Sequence, residues 1–372
     1  MIKKVLIQHP HGTEISGVST YVQNAQRALE ATGEFEVTVV SSLTQSIRER
    51  VAAMRHVEYV HLNSNDLPLA LAARVAGKSV SIKYHWPFWL STRYHFEAIG
   101  WSARLRRELA YIWTTYVRGR GVRDGIRAYA RLAMRLVTFG VVPTRLACSA
   151  FTASAVEAGD RVVPVPNPFD FGASSEARVP EGVLPRFVFA GRIVHDKGVD
   201  TLVDAAALVM QEGFDFDVIV VGDGEELSAL EARAETLGVA GTVRFVGRKQ
   251  SDELLAIVRS ALALVYPARW EDPAPYPPIE AASQCVVSIA SRAGGLGETA
   301  GPFALYFERE DSRALAESMI AFLEHPAQAV ERGNAAARHA RSIYGMSAAA
   351  VQLAIAIGAV QPQGHGERVG DI

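Results

Sequence analysis

The chain has 372 residues, which at roughly 150 residues per domain corresponds to two domains. With 49% hydrophobic and 21% charged residues, its composition is that of an ordinary globular protein and excludes global disorder. The formal net charge of -2 argues against a protein that coats nucleic acid by bulk electrostatic attraction. Two cysteines, Cys148 and Cys285, are too few for a disulfide framework and indicate buried thiols in a reducing compartment.

The N-terminal segment carries only three apolar residues after Lys4, which is too short for the core of a signal peptide. No apolar run approaches the roughly 18 to 20 residues that cross a bilayer. We therefore expect a cytoplasmic protein.

Short β-branched runs recur along the chain, each followed by polar residues or glycine and then by a helix-like stretch, as in parallel α/β folds. The first series of runs occupies residues 5–8, 37–40, 58–62, 79–84, 146–149 and 162–165. The second series occupies residues 186–190, 217–221, 243–246, 263–266 and 286–290. The sequence thus predicts two parallel sheets, one in each half.

Prolines cluster between residues 164 and 185 and predict a hinge near 167–185. We expect an N-terminal Rossmann-like domain over 1–166 and a C-terminal one over 167–346. A helix over 347–360 could pack back on the first domain, and the polar tail 361–372 is typical of a disordered terminus.

Glycines and charged residues follow the strands of the second series, where ligands bind to open parallel sheets. These residues are Gly191, Arg192, Lys197, Gly222, Gly224, Arg248, Lys249, Asp272, Gly294 and Gly295. Cations beside glycine turns and helix N-termini suit a diphosphate. A dinucleotide fingerprint is disfavoured because position 227 is leucine, and no P-loop sequence is present.

The motifs Phe189-Ala-Gly191-Arg192, Lys197-Gly198 and Gly222-Asp-Gly224, with the acidic pair Asp272 and Glu280, resemble the retaining GT-B glycosyltransferases of family 4. The resemblance implies a GT-B fold, in which two Rossmann-like domains face each other across a cleft. It also implies transfer of a sugar from a nucleoside diphosphate sugar, such as a UDP-sugar or a GDP-sugar, without a metal or another cofactor.

The resemblance also implies roles for individual residues. Arg192 and Lys197 would hold the donor diphosphate, and Glu280 would accept hydrogen bonds from the ribose. Asp272 stands at the first acidic position, where relatives carry glutamate, and is assigned with these three residues and His85 to the catalytic group. Donor contacts are expected at Gly17, Gly191, Gly222, Gly224, Arg248, Lys249, Gly294 and Gly295. His9, His11 and Asn63 are further candidates at the rim of the first sheet.

Residues 86–146 contain eleven arginines and three acidic residues, a local charge of +8, together with four of the five tryptophans. Arginines combined with tryptophans are typical of surfaces that bind anionic membranes. We expect an acceptor or membrane surface that includes Arg104, Arg106, Arg107, Trp86 and Trp89. The acceptor would be a glycan or a lipid-linked molecule at the inner face of the cell membrane, in cell-surface polysaccharide or glycoconjugate synthesis. Nucleic acid is not an expected partner.

Two other functions fit the same motifs. One is a GT-B sugar-nucleotide 2-epimerase, which needs no acceptor and no membrane surface. The other is a nucleotide-sugar binding subunit that has lost catalysis, which the departure at Asp272 and the proline at position 275 would allow.

Overall fold

A computed structural model describes residues 2–10, 17–86, 88–89, 100–156, 161–172, 176 and 184–359. His11 and the tail 361–372 lie outside these residues, so the expectations about them are not addressed by the structure.

The first half of the chain forms a six-stranded parallel sheet with the strand order β2-β1-β3-β4-β5-β6. Its strands are β1 (Lys3–His9), β2 (Phe35–Ser41), β3 (Tyr59–Leu62), β4 (Ser79–Tyr84), β5 (Thr144–Ala147) and β6 (Val163–Pro164). The helices of this half are α1 (Gly17–Glu30), α2 (Ile47–Met54), α3 (Leu67–Val75), α4 (Trp101–Tyr111), α5 (Val122–Val141) and α6 (Ala150–Val156). A π-helical segment, Ile112–Arg118, joins α4 to α5.

The second half forms another six-stranded parallel sheet, with the order β12-β11-β10-β7-β8-β9. Its strands are β7 (Arg186–Ala190), β8 (Asp217–Val221), β9 (Val243–Phe245), β10 (Ala263–Tyr266), β11 (Val287–Ser291) and β12 (Leu305–Phe307). The helices that follow are α7 (Val199–Gln211), α8 (Leu227–Thr236), α9 (Ser251–Arg259), α10 (Pro277–Ser283), α11 (Leu296–Ala300), α12 (Ser312–Glu324), α13 (Pro326–Tyr344) and α14 (Met346–Ala356).

Each sheet is covered by hydrophobic clusters on both faces, which explains why the strands read as short apolar runs rather than alternating ones. Local sequence fixes several helix starts. Ser46 and Glu49 form a capping box at α2, and the Asp66 and Asp311 side chains accept backbone N–H bonds at α3 and α12. Hydrophobic burial and local capping therefore both favour the strands and helices that are observed.

The prediction of two Rossmann-like parallel sheets is confirmed, and each of the eleven predicted strands overlaps an observed one. Strand β12 was not predicted. It has three residues and lies at the edge of its sheet.

Helix α14 belongs spatially to the first half of the chain. Its Leu353 and the following Ile357 pack with Tyr21 and Leu29 of α1 in one buried cluster. The chain thus crosses from the second half back to the first. No helix among the described residues combines the length and hydropathy that would be needed to cross a bilayer.

Candidate active site

The strand order reverses between β1 and β3 in the first sheet and between β7 and β10 in the second. Loops at such a switch point diverge to opposite faces and leave a crevice in which ligands bind. Asn63 and His85 follow β3 and β4, whereas Arg192 and Lys197 follow β7. His85, Arg192 and Lys197 line one cavity between the two halves, and Asn63 bonds His85 from an adjoining cavity.

Lys197 ends a short 3-10 turn after β7 and is almost completely buried. Its Nζ donates hydrogen bonds to Asp272 Oδ2 at 2.5 Å and to the Tyr266 hydroxyl at 2.7 Å. Burial opposes protonation of Lys197, but Tyr266 and Asp272 outweigh this effect and raise its pKa. Lys197 is therefore a fixed cation whose position is set by the loop after β10.

The loop that carries Lys197 packs directly against the loop after β10. Gly198 adopts a left-handed φ of +64° at the start of α7, and a Cβ at this position would lie 2.2 Å from the Pro267 carbonyl oxygen. Only glycine satisfies both conditions. The Lys-Gly pair seen in the sequence is thus explained by the close approach of two loops.

Arg192 is exposed and, among the described residues, makes no hydrogen bond or ion pair. It lies where two cavities meet. One cavity, of about 280 Å³, is lined by Gly17, His85, Trp86, Asn167, Gly191, Arg192, Lys197, Tyr266, Asp272 and the 273–277 loop, among others. The other, of about 550 Å³, is lined by Gly191, Arg192, Gly222, Asp223, Gly224, Arg248, Lys249, Leu254, Pro277 and Glu280, among others.

The larger cavity is lined by Glu280 together with Arg248 and Lys249. Glu280 lies in the first turn of α10, and its side chain has no hydrogen-bond partner among the described residues. Burial raises the pKa of Glu280 to about 7. The floor of this cavity is tight, because a Cβ on Gly222 would lie 1.8 Å from the Gly191 carbonyl oxygen.

His85 forms the wall of the smaller cavity on the N-terminal side. Its Nε2 lies 2.9 Å from Asn63 Oδ1, and its ring lies 4.7 Å from that of Tyr21. The Tyr21 ring in turn covers the ammonium of Lys83 at 4.0 Å. Burial lowers the pKa of Lys83 to about 7. The histidine is thus oriented by an amide and by a buried aromatic ring.

Some cavity residues were not singled out from the sequence. Tyr266 bonds both Lys197 and Asp272, and the buried Tyr276 hydroxyl and Asn167 Oδ1 have no hydrogen-bond partner in the described structure. Tyr266 is the last residue of β10, so its position at the switch point was a usable signal. Tyr276 and Asn167 lie in proline-rich loops, where sequence pattern does not reveal which side chain points inward.

Gly294 and Gly295 take a supporting position and line neither of these two cavities. The Gly294 N–H donates to Glu271 Oε2 at 2.6 Å, and a Cβ on Gly295 would lie 2.0 Å from the Pro273 carbonyl oxygen. Glu271 is also bonded by Arg309. The two glycines therefore hold the Asp272 loop from behind, and a direct donor contact through them does not follow from the structure.

The expectation that Trp89 and Arg104 belong to an exposed surface is wrong. Both are buried, because they satisfy the last carbonyls of α6: Trp89 Nε1 donates to Val156 and Arg104 to Ser154 and Ala155. Trp86 is exposed, but it lies at the cleft and stacks on Trp270 at 5.5 Å. Arg106 and Arg107 are exposed on α4.

Comparison with known proteins agrees with this architecture. Residues 176–339 match the family "Glycosyl transferases group 1". The solved structure of the Anabaena protein HepE in complex with UDP superposes with a TM-score of 0.70, at 14% identity, over 96% of this chain and 100% of that one. HepE has also been solved with UDP-glucose. Sucrose-phosphate synthase from Thermosynechococcus elongatus superposes with a TM-score of 0.67, at 17% identity, over 95% of this chain and 98% of that one.

Among curated sequences, glycogen synthase from Mycobacterium tuberculosis is 29% identical over 194 residues, which are 50% of this chain and 47% of the relative. The matched part spans between 24% and 47% of the length of these curated relatives. Together these likenesses confirm the GT-B fold, and residues 176–339 are similar to glycosyl transferases group 1. They do not favour an epimerase or an inactive binding subunit.

Proposed function

We propose that the protein is a retaining glycosyltransferase that moves a hexose from a nucleoside diphosphate sugar to an acceptor held by the N-terminal domain. One observation carries the proposal. Two cavities meet at Gly191 and Arg192, directly beside Lys197, so that Arg192, which has no partner among the described residues, and the fixed cation Lys197 both face the junction. A diphosphate at this junction would place its nucleoside in the larger cavity and its sugar in the smaller one.

Each end of the cleft offers the matching chemistry. At the nucleoside end, the Glu280 carboxylate accepts hydrogen bonds from ribose hydroxyls, and the loop at Arg248 and Lys249 faces the base. At the sugar end, His85 of the first half and Asp272 of the second half both line the smaller cavity. The buried Tyr276 hydroxyl, which has no hydrogen-bond partner among the described residues, is a further donor in that cavity.

The chemistry breaks the bond between the anomeric carbon and the diphosphate oxygen, and that oxygen keeps both electrons. The acceptor hydroxyl oxygen bonds to the anomeric carbon from the same face, and its proton passes to the departing phosphate. Arg192 and Lys197 stabilise the negative charge that develops on the leaving group. Because two protein cations do this, we propose that the reaction needs no metal and is unaffected by a chelator.

The donor and acceptor classes follow from chemistry and from relatives. HepE binds UDP and UDP-glucose, which favours a UDP-sugar over a GDP-sugar here. The basic surface between Trp101 and Val141 favours a glycan or lipid-linked acceptor at an anionic membrane. We therefore place the protein in the cytoplasm, peripherally at the inner face of the cell membrane, in cell-surface glycan synthesis.

Release of nucleoside diphosphate from UDP- and GDP-sugars, with and without membrane extract, tests this function. We expect release with one donor, stimulated by the extract and insensitive to a chelator. Arg192→Ala should reduce release by about 10- to 100-fold, as for the loss of charge-assisted hydrogen bonds.

Lys197→Ala is the second variant, and it should abolish release. Because it leaves Asp272 buried without its partner, its melting temperature must be measured alongside. Arg192→Ala avoids this problem, since Arg192 is exposed and unpaired in the described structure. Full activity of Arg192→Ala would overturn the proposal. So would a failure of the folded protein to release nucleoside diphosphate from any of the donors tested.

A further inference from the structure

Helix α5 (Val122–Val141) leaves an apolar stripe in solvent. Val122 and Ile126 are 65% and 64% exposed, and Val137 is about half exposed. With the exposed Ala130 and Ala133, these residues recur every three to four positions and so occupy one face of the helix. The opposite face, with Ala128, Leu132 and Phe139, is buried in the N-terminal core. We call the five exposed residues the α5 stripe.

A basic stripe runs beside the α5 stripe. Arg123, Arg127 and Arg131 are spaced by four residues and are all exposed. Between Trp101 and Val141 the acidic residues are Glu108, which is buried, and Asp124, which lies 3.4 Å from Arg127. The positive charge of this face is therefore nearly uncompensated.

Neighbouring residues extend the same surface. The Tyr129 hydroxyl donates to the Leu109 carbonyl oxygen, which brings α4 alongside α5. Leu109 and, one turn later, Trp113 are both more than 40% exposed. The Arg118 guanidinium lies 5.9 Å from the Trp113 ring centroid. Exposed aliphatic, aromatic and guanidinium groups thus lie together on one side of the helical hairpin.

This combination distinguishes between possible occupants. Contact with a second copy through a two-fold axis would set the basic stripe against itself, which is unfavourable. A bilayer containing anionic lipid satisfies both stripes, because apolar side chains enter the acyl boundary while the arginines meet phosphate headgroups.

We infer that the α5 stripe and the basic stripe form a membrane-contact surface that holds the N-terminal domain on anionic lipid. The same helix reaches inward, where Arg135 lines a cavity of about 250 Å³ together with Asn63, His85 and Trp86. Because the same helix carries the exposed stripes and contributes Arg135 to this cavity, a lipid-linked acceptor held at the surface would lie close to His85. This inference deepens the acceptor part of the proposed function and rests on it.

Co-sedimentation with two kinds of vesicle tests the surface: phosphatidylcholine alone, and phosphatidylcholine with about one third phosphatidylglycerol. We expect binding to the anionic vesicles only, and a marked loss of binding between about 0.1 M and about 0.5 M salt. The triple variant Arg123→Glu, Arg127→Glu, Arg131→Glu should bind at least about 100-fold more weakly. Ile126→Ser with Val137→Ser should weaken binding without removing its dependence on lipid charge.

Val75→Ser is the matched control, because Val75 is a highly exposed apolar residue on α3, outside the surface. It should bind like the unaltered protein. Equal binding to neutral and anionic vesicles, or unchanged binding of the triple variant, would overturn the inference. The inference would also be overturned if the unaltered protein bound no vesicles and instead formed dimers that the stripe substitutions abolish.

Nucleotide-sugar binding, measured by thermal shift without vesicles, separates this inference from the proposed function. The stripe variants should keep the donor-induced shift of the unaltered protein, which also reports that they fold. Vesicle binding without any donor-induced shift would contradict the proposed function and leave the membrane surface intact.

Discussion

Burial of the Glu280 side chain controls whether its carboxyl is ionised, and with it the chemistry of the nucleoside end of the cleft. Burial raises its pKa to about 7, so the free protein carries this group protonated below pH 7 and ionised above it. Only the ionised form accepts charge-assisted bonds from both ribose hydroxyls. The folded state also holds this proton more tightly than the unfolded chain, so the contribution of Glu280 to the free energy of unfolding falls as the pH rises from about 4.5 to about 7.

We predict that UDP binding strengthens as the pH rises through about 7. Calorimetric titration of UDP between pH 5.5 and 8.5 measures this, and Glu280→Gln should bind more weakly at high pH and lose that part of the pH dependence. The same pH profile in Glu280→Gln would show that another group is responsible.

Asp272 is a second residue whose surroundings define its role. Its carboxylate is the ion-pair partner of the buried Lys197, so removing its charge would leave a lysine buried without compensation. Asp272→Asn should lower the free energy of unfolding by about 3–5 kcal/mol, as for other broken buried pairs.

Urea denaturation measures the change at Asp272. Asp204→Asn is the control, because that carboxylate pairs with Arg233 at the surface, where the loss should be about 1 kcal/mol or less. Equal losses in the two variants would mean that the buried Lys197–Asp272 pair contributes no more to the free energy of unfolding than a surface pair does.

At the level of elements, the β5–α6 junction ties the two halves together. Glu298 of α11 accepts the Ala150 and Phe151 N–H groups at 2.7 and 2.8 Å. The Ser149 hydroxyl donates to the Pro273 carbonyl oxygen at 2.6 Å. The Asp272 loop is therefore held against the N-terminal domain.

We predict that Glu298→Ala with Ser149→Ala loosens this contact and slows transfer, while donor affinity changes less because the nucleoside cavity lies wholly in the second half. Small-angle scattering should show a larger radius of gyration, together with a fall in kcat. Unchanged scattering and kcat would show that these contacts do not set the domain arrangement.

The elements also show where prediction from sequence succeeds. The β-branched runs predict the strands correctly because both faces of each sheet are buried. The polar residues and glycines that follow the strands predict the position of the cleft. Arg104 and Trp89 could not be placed this way, since their partners are carbonyls of α6, some 50 to 70 residues away in the chain. The inward turn of Tyr276 and Asn167 was likewise set by tertiary packing.

For the molecule as a whole, the near-zero net charge conceals an uneven distribution. The segment 86–146 carries +8 and, by subtraction from -2, the remainder carries -10. Two residues expected on a surface in that segment, Trp89 and Arg104, instead donate to carbonyls of α6, and the membrane surface that we propose lies on the exposed face of α5. The basic face of α5 and the donor cleft are therefore separate regions of the molecule, and helix α5 connects them.

We propose that a nucleoside diphosphate binds where the two cavities meet at Arg192. Calorimetric titration with UDP-glucose and GDP-mannose tests it most directly, using the unaltered protein, Arg192→Ala and, as a control, Arg338→Ala on the exposed face of α13. We expect saturable binding of one nucleotide sugar, weakened about 10- to 100-fold by Arg192→Ala and unchanged by Arg338→Ala. Equal affinity in all three proteins, or no binding of either nucleotide sugar to folded protein, would contradict it.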